Sequence, residues 1–183
     1  MENITRMYPD AVQMMIEQVK ADEAIVEGEG VAVDADTGEM KPFQTLMQRR
    51  RKYGIEEMMQ KLPVAVYLFE CLLVDGEDLT LRPYPERRRR LGEIVEETER
   101  FKLVRAKPIS EASELDDFFE EAITDGTEGL LVKSVSDDSI YRAGGRSWLW
   151  VKLKASYQSK MVDPVDLVIV GAFYGRGRRA GNY

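Results

Sequence analysis

The 183-residue sequence has no histidine and a single cysteine, Cys71. Without histidine, a Ser-His-Asp or Cys-His nucleophile, a His-ligated metal and a His proton shuttle are all excluded. One cysteine can build neither a disulfide framework nor a thiolate zinc site, and it agrees with a reducing, intracellular setting. No apolar run approaches transmembrane length. The N-terminus MENITRMYPD has no basic segment followed by an apolar one, so it does not read as a signal peptide. Chemistry is left to carboxylates, lysine, arginine, tyrosine or a bound metal.

What is present is charge: 32% of residues are Asp, Glu, Lys or Arg, and the formal net charge is -7. Taken alone, that balance argues weakly against a phosphate-rich partner. The charge is unevenly spread, however. Arginines cluster at Arg49 to Arg51, at Arg87 to Arg90, and in the tail at Arg176, Arg178 and Arg179. Most such runs are solvated faces, and three of them in an acidic chain raise the case for a phosphate-bearing partner only modestly.

Hydrophobic periodicity predicts a helix from Pro9, with Val12, Met15, Ile16 and Val19 as its apolar stripe. A strand follows at Ala24 to Asp34, with a turn-rich ADTGE that implies a hairpin. A short helix is expected in IEEMMQKL and a buried strand from Pro63 to Gly76. PERRRRLGEIVEETER reads as a helix from Pro85, FKLVRAK as a short strand, and SELDDFFEEAITDG as a helix capped by Ser113 with Asp116 and stopped at Gly126. GLLVKSV, SWLWVKLK and DPVDLVIVGAFYG read as strands. Strands outnumber helices and interleave with them, which predicts an α+β fold with largely antiparallel sheets and packed helices.

Several positions have a chemical reading beside a plain one. At a period of two, Glu27 and Glu29 share a face with Ile25, Val31 and Val33, and Gly28 and Gly30 lie opposite; a solvated, bulged strand explains this equally well. Glu70 is expected on the face of Val66, Leu68 and Leu72, where a carboxylate needs a partner, with Phe69 on the other face beside Tyr67 and Cys71. Glu128, after the Asp125-Gly126-Thr127 turn, is placed for a metal or a ligand hydroxyl, though such glutamates are more often turn residues. Trp148, Trp150, Lys152 and Lys154 share a face, the two ammonium groups about 7 Å apart. That face is an anion site or simply an edge protected by lysines.

The order of these segments is more specific than any one of them. EGEGVAVD, KPFQTLMQRRRK, VYLFECLLVDGEDL, TEGLLVKS, WLWVKLKASY and DLVIVGAFYGRGRRAG together resemble the adenylation domain of ATP-dependent DNA ligases of the archaeal and eukaryotic replicative type. The resemblance implies the DNA ligase and mRNA capping enzyme nucleotidyltransferase fold, ATP-grasp-like and here incomplete. It implies ATP and Mg²⁺ as cofactors, and a parent enzyme that seals nicked duplex DNA through lysyl-AMP and DNA-adenylate. By the same resemblance, Glu27 and Glu29 contact the ribose and Phe69 stacks on adenine. Glu29 and Glu128 support the metal, Lys152 and Lys154 hold the α-phosphate and assist transfer, and Arg146 contacts phosphate.

The family's nucleophile is the lysine of a Lys-x-Asp-Gly-x-Arg motif, and these 183 residues contain no Lys-x-Asp-Gly. The pairs Asp75-Gly76 and Asp125-Gly126 carry Leu73 and Ile123 at the lysine's place. The sequence therefore reads as part of a ligase core cut at both ends. Residues 1–164 are expected to be a partial adenylation domain without its nucleophile segment, and 165–183 a last strand and basic hinge toward an OB domain. The remaining ligase domains are expected in cis, with no membrane partner and a cytoplasmic or nuclear location. Such a chain alone is expected not to self-adenylate. Two other readings stay open: a noncatalytic nucleic-acid or partner-binding module using the arginine clusters, and a relative of RNA ligases or capping enzymes.

Overall fold

A computed structural model describes residues 2–50, 53–144 and 147–155. The expected boundary near residue 164, the strand DLVIVGAFYG and the basic tail fall outside these residues, as do Arg51 and Arg146. The described fold is α+β, with helices interleaved between two sheets. Helix α1 (Pro9–Gln18) is followed by strand β1 (Ala24–Ala32), short helices α2 (Phe43–Met47) and α3 (Ile55–Lys61), and the long strand β2 (Val64–Val74). Then come β3 (Glu77–Asp78), α4 (Tyr84–Ile94), β4 (Phe101–Leu103), α5 (Ala112–Thr124), β5 (Gly129–Lys133) and β6 (Trp150–Lys154). Among the described residues no helix is long and apolar enough to cross a membrane.

Strand β2 organises the larger sheet. It pairs antiparallel with β1 and with β3, and parallel with β4. The parallel pair is the exception to an otherwise antiparallel arrangement, and it follows from α4, which carries the chain back across the sheet before β4 begins. The second sheet is the antiparallel hairpin of β5 and β6. The ADTGE turn closes less than expected: it returns the chain only as far as a single bridge, Val33 to Met40, and β1 takes β2 as its partner instead.

The β1–β2 register slips twice, between Ile25 and Val26 and between Glu27 and Gly28, leaving Leu72 and Phe69 on β2 without a partner across the ladder. Each extra residue reverses the side-chain alternation beyond it. The core face of β2 is therefore Val64, Val66, Leu68, Cys71 and Val74, packed with Ala32, Leu91, Ile94 and Phe101. This corrects the period-two expectation: Cys71 belongs to the core, and Glu70 is turned to the opposite side of the sheet. In β1 the alternation holds, and the glycine side is the core side. A Cβ on Gly28 would stand 2.7 Å from Leu68 Cδ2 and 2.8 Å from the Tyr67 carbonyl oxygen. The close approach that Gly28 permits is that of β2.

Three helix expectations need correction. On α1, Ile16 is exposed, and the core-facing side is Tyr8, Ala11, Met14, Met15 and Val19. Helix α4 stops at Ile94, because Val95 turns extended and bridges to Val19. Helix α5 starts before Ser113: the Glu114 carboxylate accepts the backbone N–H groups of Ser110 and Glu111, at 3.0 and 3.2 Å, and this fixes the first turn.

Burial consumes much of the arginine run at 49–50. Arg49 is 1% exposed and holds Asp10 with two hydrogen bonds, Nη1 to Oδ2 at 2.6 Å and Nη2 to Oδ1 at 2.8 Å. Its Nη1 also donates to the Leu62 carbonyl, and its guanidinium lies 5.1 Å from the Tyr8 ring centre. The pair ties α1 to the segment after α2. Arg50 pairs with Glu2. Removing one partner of a buried pair strands the other charge, at a cost of roughly 3–5 kcal/mol. We expect Asp10→Ala to lower unfolding free energy by about that amount in urea titrations followed by circular dichroism, against well under 1 kcal/mol for Glu57→Ala on the exposed i,i+4 pair with Lys61.

Candidate active site

Because the two bulges turn Glu70 away from the core, its carboxylate meets α4 and the hairpin. Glu70 is 1% exposed. Arg87, from the first turns of α4, grips it with Nε to Oε1 at 2.8 Å and Nη2 to Oε2 at 3.0 Å. Lys133, the last residue of β5, donates to Oε2 from 3.1 Å. The remaining Arg87 nitrogen, Nη1, donates to the Ser139 carbonyl at 2.9 Å and to that of Arg82. A buried charge is tolerable only when partnered in this way. Burial pushes the Lys133 ammonium below its ordinary range, and Glu70 opposes that shift.

The Lys133 ammonium also lies among aromatic rings. Its Nζ is 4.4 Å from the Tyr84 ring centre, 5.0 Å from Trp150 and 5.5 Å from Phe69. Lys133 was not singled out from the sequence, and Arg87 was read only as a member of an arginine run, not as the partner of Glu70. The one available signal was Glu70 itself, an acid in an apolar strand that needed a partner; which cation would reach it depends on how two distant segments meet.

Glu27 stands directly across the ladder from Glu70, a like-charge pairing that would be unfavourable without counterparts. The Tyr141 hydroxyl donates to Glu27, and that bond raises the phenol's pKa to about 12. Glu29, two residues on along the same face, is exposed and opposite Tyr67.

On the hairpin, the register pairs Gly129 with Lys154, Leu131 with Lys152 and Lys133 with Trp150. Residues paired across a ladder share a face, so Lys133, Trp150, Lys152 and Lys154 lie on one side. Trp148 does not belong to this face: β6 begins at Trp150, and Trp148 precedes it at 93% exposure. Glu128, exposed just before β5, bonds Lys154 Nζ at 2.9 Å, and that lysine holds its carboxyl below the usual range. The glycine of the Glu-Gly pair has a steric reason. Gly129 has φ +140°, and a Cβ there would lie 2.1 Å from the Leu153 carbonyl oxygen.

The candidate residues thus fall into two linked groups. Glu70, Lys133, Trp150 and Tyr141 line an open cleft with Ser139, Arg142 and Ser147, and Phe69 and Glu27 adjoin it through Lys133 and Tyr141 respectively. Lys154, with Glu128 beside it, lies at the other end of the hairpin, about 13 Å along the strand from Lys133, and Lys152 lies midway at about 7 Å. Arg146 lies outside the described residues. The donor chemistry fits a nucleotide: an aromatic ring, unburied ammonium groups on one face, and a Trp150 indole N–H, buried in the cleft, with no acceptor among the described residues. Glu29 stands on the larger sheet and Glu128 just before the first strand of the second, and among the described residues no three Asp, Glu or Cys side chains gather as a metal cluster. One or two carboxylates with phosphate oxygens and water suit Mg²⁺, which keeps much of its hydration.

The arginines at 87–90 are spoken for. Arg87 serves Glu70, Arg88 donates to the Leu68 and Val104 carbonyls, and Arg89 and Arg90 pair with Glu93.

Residues 1–154 match the family described as ATP dependent DNA ligase domain. Over 183 residues the chain is 57% identical to a DNA ligase of Ignicoccus hospitalis, covering all of this chain and 31% of that protein. Over 181 residues it is 60% identical to a DNA ligase of Aeropyrum pernix, covering 99% of this chain and 30% of that one. The chain thus spans less than a third of the length of these curated relatives. Among solved structures, mycobacterial DNA ligase D complexed with ATP and MES superposes with a TM-score of 0.56 at 24% identity, over 84% of this chain and 45% of that one. The ligase domain of M. tuberculosis LigD gives 0.57 at 23% identity, with the same coverage. These two likenesses establish the shared fold.

Two outcomes follow from the geometry. Glu70→Ala leaves Arg87 and Lys133 unpaired in the interior, and urea unfolding should show a loss of roughly 3–5 kcal/mol; Glu70→Ala with Arg87→Ala should cost less than the sum of the single changes. Gly129→Ala should destabilise by about 3 kcal/mol through backbone strain and the clash with Leu153, read as a lowered Tm.

Proposed function

Since this chain belongs to the ATP-dependent DNA ligase family, we propose that it forms the nucleotide-holding part of an adenylation domain in a longer enzyme that seals nicks in duplex DNA. The observation that carries this reading is the hairpin register, which sets Lys152 and Lys154 on one face, beside Glu128, and brings that face to Phe69 through Lys133.

In this reading ATP supplies the adenylyl group. Lys152 and Lys154 hold phosphoryl oxygens, where charge builds during transfer and fixed cations stabilise it. Glu128 keeps the Lys154 ammonium in place and, with Glu29, offers oxygens to Mg²⁺. Phe69 holds the base by its ring face. Glu27 and Glu29 stand on the β1 face as ribose partners, and Arg146 is assigned to phosphate. The attacking lysine comes from a Lys-x-Asp-Gly segment that these 183 residues do not contain. The other ligase domains act in cis, and nicked DNA is the substrate of the whole.

The reading as a noncatalytic module rested on the arginine clusters. Arg49, Arg50 and Arg87 to Arg90 are engaged within the chain, so the described part of those clusters no longer supports it.

Incubation of the 183-residue chain with α-labelled ATP and Mg²⁺ should leave no covalent label on the protein; a stoichiometric label would sink the assignment of the nucleophile elsewhere. Equilibrium ATP binding should be detectable and should weaken about 10-fold or more for Lys154→Ala and for Phe69→Ala. In the longer enzyme, Lys154→Ala should slow adenylyl transfer by roughly 10²–10³.

A further inference from the structure

Lys133 shares a strand face with Lys152 and Lys154, yet its surroundings differ from theirs. Lys152 is exposed, and Lys154 pairs with a glutamate that is itself 84% exposed. Lys133 has 10% of its side chain exposed, is bonded to the buried Glu70, and is surrounded by Tyr84, Trp150 and Phe69. An ammonium so enclosed has little freedom to follow a ligand. It does, however, join two bodies: Glu70 and Phe69 belong to β2, and Trp150 is the cross-strand neighbour of Lys133 at the start of β6.

We infer that Lys133 is a positioning residue, which fixes the β6 lysines Lys152 and Lys154 relative to Phe69 without itself binding phosphate. This rests on the proposed nucleotide site and adds to it the device that sets its two halves in register. The physical route is short. Glu70 is locked by two Arg87 hydrogen bonds and offers Oε2 as a fixed anchor. Lys133 spans from that anchor to the hairpin, and its stem and the Trp150 ring set where β6 begins. From Trp150, the rigid two-residue spacing of the strand places Lys152 and then Lys154 on the same face. A shift of the anchor moves both ammonium groups together, and misplacement by about 1 Å is enough to cost a large factor in a reaction that depends on alignment.

Lys133→Met tests this without stranding a charge, since Glu70 keeps both Arg87 bonds and methionine is of similar length among the rings. ATP affinity of the full 183-residue chain should fall about 10-fold in Lys133→Met, with adenosine affinity and Tm little changed. In a chain already carrying Lys152→Ala and Lys154→Ala, the same substitution should have no further effect on ATP. An equal loss in both backgrounds would show that Lys133 touches the phosphates directly and would overturn the inference, as would an unchanged ATP affinity in the single variant.

A second measurement needs no nucleotide. In Glu70→Gln, the backbone amide resonances of Lys152 and Lys154 and the indole N–H of Trp150 should shift in ¹H–¹⁵N spectra, while that of exposed Trp148 stays in place. Unmoved β6 resonances would refute the positioning role. Loss of ATP binding by the unsubstituted chain, with those shifts present, would instead count against the nucleotide-site reading alone.

Discussion

The described structure turns on one buried carboxylate. Glu70 sits in the longest strand, and an isolated charge there would be prohibitively costly. Its two cations come from different places: Arg87 from α4 and Lys133 from the hairpin. Satisfying Glu70 therefore obliges the helix and the second sheet to converge on β2. The same convergence brings Tyr84, Trp150 and Phe69 around the Lys133 ammonium and opens the cleft beside them. A hydrophobic residue at this position would pack well, but it would not specify which element must arrive from which side.

The bulges in the β1–β2 ladder make this possible. Without them, alternation would bury Glu70 among Val66 and Leu68 and expose Cys71. With them, Cys71 goes inward, where burial pushes its thiol up to about 11 and leaves it unreactive, and Glu70 goes to the working face. Phe69, the bulged residue itself, comes close to the Lys133 ammonium. A local irregularity in one strand thus serves both core and cleft.

Much of the fold was legible in the sequence. Helices α1 and α5, the buried strand around Phe69 and the strands that became β5 and β6 follow from periodicity and turn residues, though not the pairing of those two strands, and the motif order pointed to the ligase family to which the chain belongs. What stayed hidden shares a cause. Bulges break the period of two at positions set by tertiary contact, so the side assigned to Glu70 was reversed. The start of β6 was placed too early, and that put exposed Trp148 on the lysine face. Lys133, and the part that Arg87 plays apart from its run, escaped notice because each depends on a partner, 63 and 17 residues away respectively. The arginine run at 87–90 illustrates the converse: four like charges in sequence suggested a surface for phosphate, and folding turned two of them to buried or backbone acceptors.

The seam between the hairpin and the main sheet is made of Lys133 with Glu70, Tyr141 with Glu27, Arg87 with the Ser139 carbonyl, and the Tyr141 amide with the Thr80 carbonyl. Around the rings of Phe69, Tyr84 and Trp150 it is largely a join of ions and dipoles, whereas the core face of the β1–β2–β4 sheet is closed by hydrocarbon. The two respond differently to heat. Charged groups lose hydration free energy as temperature rises, so pairing them becomes less costly, while the gain per unit of buried apolar surface levels off. Warming therefore strengthens the seam relative to the core, and the half of the cleft carried by the hairpin is held most firmly, in proportion, when the protein is hot.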